Sequence, residues 1–281
     1  MVFSTPEFVV VGHVCRDIVA DVPGWRPGGA AFYAAAAAAK LGYTVGVLTA
    51  GASEVQALEA LPNTMVVSLD AKKSTTYENI YEAGVRQQYV RAVAPLLPVD
   101  LVPPEWIRAP VVLLAPVAGE VPPSMVRMFP RSLLGISLQG YLRRCDADGA
   151  VSYQPWQHAS EMLPYAAAVI FSDEDMHGHH TPWLRDRGPL IVETRGQLGC
   201  ELTHHGKMRT VPGFPAAEAD ATGAGDVFAA AFLLELARVR EPLQAARYAN
   251  CVASFAVEGI GIDALPSASQ VKERLESWTS S

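Results

Sequence analysis

Asp220-Ala221-Thr222-Gly223-Ala224-Gly225-Asp226 constrains this chain more than any other stretch. Small, flexible residues there lead into an unbroken run of good helix formers, so the spacing predicts a helix beginning near Ala224. The first N–H groups of a helix have no intrahelical partners, and the positive end of the dipole lies beside them. A Gly-rich turn at that mouth therefore suits a phosphate. Asp226 is out of place on that reading, because an acid in the first turn repels an anion. A carboxylate set to take a proton from the group attacking the phosphate resolves the conflict and points to phosphoryl transfer. Alone, an Asp in a first turn would merely favour the helix dipole. With Thr-Gly-Ala-Gly directly before it, the catalytic reading is the stronger, the amides of Gly223, Ala224 and Gly225 stabilising the equatorial oxygens.

The rest of the chain supplies a scaffold for such a helix. Phe8–Gly12 is an apolar run closed by glycine, which reads as a central parallel strand. Trp25–Gly29 reads as a turn, Ala30–Leu41 as an Ala-rich helix stopped by Gly42, and Thr44–Thr49 as the next strand, a βαβ opening. A short helix Glu54–Ala60 and strand Met65–Leu69 follow. Between Lys72 and Val93 the pattern changes to two alternating, β-rich segments around Gly84, the mark of a half-exposed antiparallel hairpin. Such a hairpin is either a flap over a site or a plain sheet edge. Buried strands resume at Val111–Ala115, Leu133–Ser137, Ala166–Phe171 and Pro189–Thr194, with a helix expected near Pro123–Phe129 and another over Tyr153–Met162. A hairpin at Cys200–Val211 precedes helices at Gly223–Arg238, Leu243–Glu258 and Ser267–Trp278. No linker or internal repeat interrupts this order, so one α/β domain spanning 1–281 is expected.

Composition excludes several classes. The net charge of −7 and the absence of a Lys/Arg run argue against nucleic acid as a partner. No apolar run reaches the ~18 residues of a membrane span, and the N-terminus lacks signal-peptide form. The four cysteines, Cys15, Cys145, Cys200 and Cys251, have no metal-ligand spacing and read as reduced, buried thiols. A cytoplasmic protein is expected. The cluster His177-Gly178-His179-His180 invites a metal reading, but without a carboxylate at fixed spacing it reads as solvated loop.

The Asp220–Asp226 run resembles the C-terminal signature of the phosphofructokinase-B (ribokinase-like) carbohydrate kinases. Gly28-Gly29 through Leu41-Gly42 is similar to the N-terminal signature of the same family, and the resemblance extends over nearly the whole chain. It implies a three-layer α/β/α sandwich with a mostly parallel central sheet and a small β lid, built here from about 13–27 and 72–92. It implies ATP-dependent, Mg²⁺-assisted phosphorylation of a hydroxyl on a small sugar, inositol-like polyol or nucleoside, with a monovalent cation and a homodimer through the lid as further family features. Asp226 becomes the general base. Asp17, Gly28, Gly29, Tyr33, Asn79, Arg86, Gln139 and Arg143 fall to the acceptor side. Thr194, Gly196 and Gly199 resemble the turn beneath the nucleotide phosphates, Thr222 sits with them, and Asn250 and Ser254 lie on the segment that resembles the adenine wall. Asp175 is assigned to the metal.

Two departures stand out. Tyr33 occupies a position where many sugar kinases carry Asn, and a phenol cannot offer an amide's paired donor and acceptor. Ser172-Asp173-Glu174-Asp175 replaces Asn-x-x-Glu, leaving a carboxylate one methylene shorter near the metal. These changes keep a second reading open, a non-catalytic relative that binds nucleotide or sugar as a sensor or scaffold. A dinucleotide oxidoreductase is a distant third reading, because no GxGxxG follows the first strand.

Overall fold

In the computed structural model, residues 4–19, 24–82, 85–176, 184 and 189–279 are described; the side chains of 81, 82, 85, 86 and 279 are not. The His177–His180 cluster lies outside the described residues.

Strands β1 (Phe8–Val11), β4 (Val45–Gly51), β5 (Thr64–Asp70), β8 (Val111–Leu114), β9 (Leu133–Ser137), β12 (Ala168–Ser172) and β13 (Leu190–Thr194) are parallel. The hairpin β14 (Cys200–His204) and β15 (Lys207–Val211) completes a nine-stranded sheet in the order β15-β14-β13-β12-β9-β8-β1-β4-β5. Phe8, Val9, Val10 and Val11 are all fully buried, with Phe8 and Val10 on one face of the sheet and Val9 and Val11 on the other. A strand covered on both faces has to read as continuous apolar sequence, as this one does.

One face carries the helices Ala30–Lys40, Ala224–Val239 and Pro242–Ala256. The ten residues Ala30–Ala39 are all buried, eight of them alanine. With so little side chain, this helix lies close against Ala224–Val239. Gly135 on β9 continues the logic, since a Cβ there would lie 2.4 Å from Leu233 Cδ1. The opposite face is closed by short 3₁₀ turns around Trp106, Met125 and Phe129.

A second sheet, ordered β3-β2-β6-β7, comprises β2 (Cys15–Ile18), β3 (Arg26–Gly28), β6 (Thr75–Glu82) and β7 (Val85–Ala92). The alternating hairpin expected from sequence is β6–β7. Strands β2 and β3 were not legible, because four- and three-residue strands leave too short an alternation to register. Expected helix Tyr153–Met162 is a correction: Val151–Tyr153 forms strand β11 against β10 (Arg143–Cys145), and only Ala159–Met162 is helical. Pro155 explains the break, since it drives Gln154 out of the helical region. The β10–β11 ribbon docks on β7 through the Tyr89–Ala150 bridge and a 2.8 Å bond from Val90 N–H to the Gly149 carbonyl. Cys145, on β10, is exposed, unlike the other three thiols, and all four are free.

Two buried carboxylates fasten the small sheet to the large one. Glu120 accepts from the amides of His13 (2.8 Å), Val117 (3.0 Å) and Ala118 (2.8 Å), tying the segment after β8 to the segment after β1. His13 shares hydrogen bonds with Thr75 Oγ1 at 2.7 Å and the Pro95 carbonyl at 3.0 Å. Glu54 takes Arg16 Nε at 3.0 Å, Ser74 Oγ at 2.6 Å and the Ala52 amide at 2.8 Å. Buried amides left without an acceptor cost about 1–3 kcal/mol each. Glu120→Ala is therefore expected to lower stability by about 3–5 kcal/mol, read as the denaturant midpoint at unchanged slope. A loss below about 1 kcal/mol would contradict the network.

Candidate active site

A cleft of about 740 Å³ opens where β9, β12 and β13 end and the helix Ala224–Val239 begins. The carboxyl ends of parallel strands are where α/β sheets place ligands. Gly223 is the N-cap of that helix, with φ 78° and ψ −2°. Only glycine holds this left-handed geometry without strain. Contact demands glycine too: a Cβ on Gly223 would lie 2.2 Å from Tyr33 Cγ. The ring of Tyr33 is thus pressed against the backbone of the turn, in the place where sequence comparison anticipated a missing amide.

Among the described residues, the Gly223 and Gly225 amides have no hydrogen-bond acceptor. That of Ala224 donates to the Ala221 carbonyl at 3.2 Å. Asp220 steadies the approach, its Oδ1 accepting from the Thr222 amide at 2.9 Å. The turn therefore presents two unspent donors, and all four residues Gly223–Asp226 line the cleft.

Asp226 is half-buried at this mouth. Desolvation raises its pKa from the ordinary carboxylate value to about 7; the Asp175 and Asp17 charges push it further up, and Arg143 pulls it down. Arg143, at the start of β10, reaches in from the other side. Its Nη1 lies 3.5 Å from the Val117 carbonyl and its guanidinium sits 5.3 Å over the Tyr77 ring. The Tyr77 hydroxyl donates to the same carbonyl. Glu120 thus acts at one remove, because the Ala118 amide it holds at 2.8 Å belongs to the same peptide unit as the Val117 carbonyl used by both side chains.

Asp175 and Ser172 cap one another. The Ser172 amide donates to Asp175 Oδ2 at 3.0 Å, and the Asp175 amide donates to Ser172 Oγ at 3.1 Å. This is the reciprocal Ser-x-x-acid capping arrangement at a one-turn helix, and it was readable in Ser172–Asp175 as written. The shorter carboxylate is held by its partner serine at the rim of the cleft. No group of three or more His, Cys, Asp or Glu side chains close enough to hold a metal occurs among the described residues.

The remaining expectations sort cleanly. Asp17, Gly29, Tyr33, Asn79, Gln139, Arg143, Thr194, Gly196, Gly199, Thr222, Asn250 and Ser254 all line the cleft with Asp175 and Asp226. Gly28 does not, yet a Cβ there would lie 1.9 Å from Asp17 Oδ2, so its bare backbone makes room for that carboxylate. The backbone of Arg86 lies on β7, and its side chain is outside the described residues. Asn79 accepts from Gln88 Nε2 at 3.1 Å across the hairpin. Tyr77 and Phe214, also in the lining, were not singled out from sequence. Tyr77 lies two residues from Asn79 on the same strand, and that period-2 relation was the available signal.

A family model for the pfkB family carbohydrate kinases matches residues 165–268. Inositol 3-kinase from Oryza sativa subsp. japonica is 30% identical over 284 residues, covering 91% of this chain and 69% of that protein. Inositol 3-kinase from Zea mays is 32% identical over 220 residues; that match covers 75% of this chain and 56% of the maize protein, so this chain spans little more than half of it. Among solved structures, a pyrophosphate-dependent kinase of the ribokinase family, complexed with a pyrophosphate analog and myo-inositol, superposes with a TM-score of 0.79. It is 21% identical, with 96% of this chain and 99% of that chain covered. Ribokinase from Arabidopsis thaliana, complexed with ribose and ATP, gives a TM-score of 0.73 at 19% identity, with 97% and 99% covered. The fold is that of the ribokinase-type sugar and polyol kinases. This chain belongs to the pfkB family of carbohydrate kinases.

The carboxyl of Asp226, followed by ¹³C NMR in the ligand-free protein, is expected to titrate near pH 7. Asp175→Asn moves the midpoint down and Arg143→Gln moves it up; a parent midpoint below about 5 would contradict the described surroundings. The sign for stability follows. Between the ordinary carboxylate range and about 7, folded Asp226 holds a proton that the unfolded chain has released. Its contribution to stability therefore falls as pH rises through that window. Asp226→Asn is expected to be more stable than the parent at pH 8, with the difference shrinking toward pH 4, as checked by thermal unfolding.

Proposed function

We propose that this protein is an ATP-dependent kinase that phosphorylates a hydroxyl of a small, uncharged polyol of the inositol type. The carrying observation is one juxtaposition: the unspent Gly223 and Gly225 amides, the Asp226 carboxylate and Asp17 line a single cleft. Asp17 and the small-sheet residues Asn79 and Gln88 orient the acceptor, with Gln139 beside them. Asp226 takes the proton from the attacking hydroxyl. The amides of the helix mouth and the Arg143 guanidinium stabilise the negative charge on the migrating phosphoryl group. Ala224 contributes its amide once the bond to Ala221 lengthens.

The raised pKa of Asp226 suits this task, because a base works best with a pKa near the operating pH. The inositol 3-kinase relatives support a cyclitol acceptor; a 27% identical cytidine kinase from Thermococcus kodakarensis supports a nucleoside as the second choice. Seven carboxylates, Asp17, Asp173, Glu174, Asp175, Glu218, Asp220 and Asp226, line the cleft against the single cation Arg143 among the described lining residues, and this balance favours an uncharged acceptor. The same hard oxygen donors suit Mg²⁺, which Asp175 would hold through water together with the donor phosphates. The ion supplies charge neutralisation for the phosphates when bound.

In this reading the small sheet, 13–27 with 72–92, is the lid of a single kinase domain. Glu54 and Glu120 are its anchors. A homodimer through the lid and a cytoplasmic location belong to the same proposal, the first checked by sedimentation equilibrium.

The test is donor consumption with ATP and Mg²⁺ over a panel of inositols, pentoses, hexoses and nucleosides. Turnover is expected with at least one inositol and is lost on chelation of Mg²⁺. Nucleotide binding without turnover on any acceptor would replace this reading with the sensor or scaffold.

A further inference from the structure

Arg143 is the single cation of the cleft lining among the described residues, and a side chain of that length has many rotamers to lose before its charge stands in one place. Its two ends are held by different parts of the fold. The backbone is fixed on the large sheet: Leu142, just before it, is buried in the core opposite the helices, and the Leu142 carbonyl accepts from the Gln154 amide at 2.8 Å. The guanidinium is fixed on the small sheet, 5.3 Å over the ring of Tyr77 on β6. Where the charge stands over the cleft therefore depends on where Tyr77 stands relative to the large sheet.

Glu54 and Glu120 hold the small sheet at β2 and at the start of β6, through Arg16, Ser74 and the His13–Thr75 pair. Strand β7 forms the other edge, and an edge strand carries unpaired amides and carbonyls. The β10–β11 ribbon covers it. Ala150 bridges Tyr89, and the Val90 amide donates to the Gly149 carbonyl at 2.8 Å. Val90 lies directly opposite Tyr77 in the β6–β7 register. The contacts thus form a closed circuit, from Arg143 along the ribbon to Gly149, across to Val90, over the rung to Tyr77 and back to the guanidinium.

The tip of the ribbon is shaped for this contact. Its strands have three residues each, too few to hold a two-stranded hairpin unaided. Asp146 ties the turn: its Oδ1 accepts from the Asp148 and Ala150 amides at 3.1 and 2.8 Å, and its carbonyl accepts from the Gly149 amide at 3.1 Å. Gly149 has φ 85°, which favours glycine, and a Cβ there would run into the Val90 carbonyl oxygen. Gly206, in the β14–β15 turn, makes a useful contrast. Its φ is 72°, yet nothing lies near its missing Cβ. Glycine is required at 206 by the turn alone, and at 149 by both the turn and the close approach to β7.

We infer that Gly149 is a positioning residue for phosphoryl transfer: its contact with Val90 sets the Tyr77 rung, and through it the place of the Arg143 guanidinium over the cleft. This rests on the proposed kinase activity. Gly149 itself is not in the cleft lining and touches no reacting group. A guanidinium that stabilises developing charge has to be in register with it, and a misplacement of about 1 Å costs about 10²-fold. The loss falls on the transfer rate, because the interaction is strongest in the transition state.

The experiment compares Gly149→Ala, Arg143→Gln, their double variant and Gly206→Ala with the parent, in single-turnover transfer from ATP to whichever acceptor the panel identifies. Gly149→Ala is expected to slow transfer by at least about tenfold while the Kd for ATP stays within about threefold. In the Arg143→Gln background the same change is expected to alter the rate by no more than about twofold. The Asp226 carboxyl, titrated by ¹³C NMR in the ligand-free protein, gives a readout without turnover. Burial, Asp175 and Asp17 raise its pKa and Arg143 lowers it, with Tyr33 and Cys15 as further titratable neighbours. Gly149→Ala therefore moves the midpoint up, as Arg143→Gln does, and the double variant moves it no further than Arg143→Gln alone. Gly206→Ala, which has the turn strain without the contact, leaves both readouts at parent values. Should Gly149→Ala not fold, Asp146→Ala, which frees the tip amides, takes its place with the same expectations. Transfer or titration unmoved by the tip variant, effects that add in the double variant, or equal effects from Gly206→Ala overturn the inference and leave the kinase reading intact. If the parent turns over no acceptor, the kinase reading fails, and the titration alone decides whether Gly149 places Arg143.

Discussion

The mouth of the helix Ala224–Val239 is the interaction on which the rest of the structure depends. Two backbone amides without acceptors and a carboxylate of raised pKa occupy the same turn. Placed together in water they would gain little. Where water is excluded, fixed dipoles act strongly on developing charge and need no reorganisation. The sheet and its two cores hold that turn in place: Gly135 lets the helix sit on β9, the alanine face of Ala30–Ala39 lets its neighbour approach, and the Tyr33 ring closes against Gly223. A bulkier residue at any of these contacts would shift the helix mouth relative to the strand ends that carry Thr194 and Asp175.

Much of this was legible in the sequence because the informative features are local. Phe8–Val11 reads as a central strand from its unbroken apolar run, and Gly223–Asp226 reads as an anion site from its glycines and its misplaced acid. Asp17 was placed on the acceptor side through the family resemblance, and the fold brings it to the same cleft as Asp226 although 208 positions intervene (226 − 17 − 1). The unread parts depend on contacts made across the chain. Strands β2 and β3 exist because they pair with β6 and with each other, and nothing within four or three residues announces that. Buried Glu54 and Glu120 look like ordinary surface acids until the amides they accept are known. Tyr33 was read as a lost amide, and only the fold shows it as the packing partner of Gly223.

The two departures from the family pattern resolve differently. Ser172 and Asp175 cap one another in the segment after β12, so a carboxylate stays at the cleft rim. Tyr33 changes the floor of the acceptor side by filling volume and adding a desolvated phenol whose pKa is raised chiefly by burial. Arg143 links these parts, lying between the small-sheet strand that bears Tyr77 and the carboxylates of the cleft. Because its ribbon is bonded to β7, movement of the small sheet would carry the cation with it.

The central claim is that Asp226 acts on the proton and not on the nucleotide. Comparing Asp226→Asn with the parent enzyme in single-turnover phosphoryl transfer, alongside the Kd for ATP, tests it most directly. General-base catalysis contributes about 10²–10⁴-fold, so the transfer rate is predicted to fall by at least about 100-fold while the Kd stays within about threefold. A transfer rate within about tenfold of the parent would contradict the account.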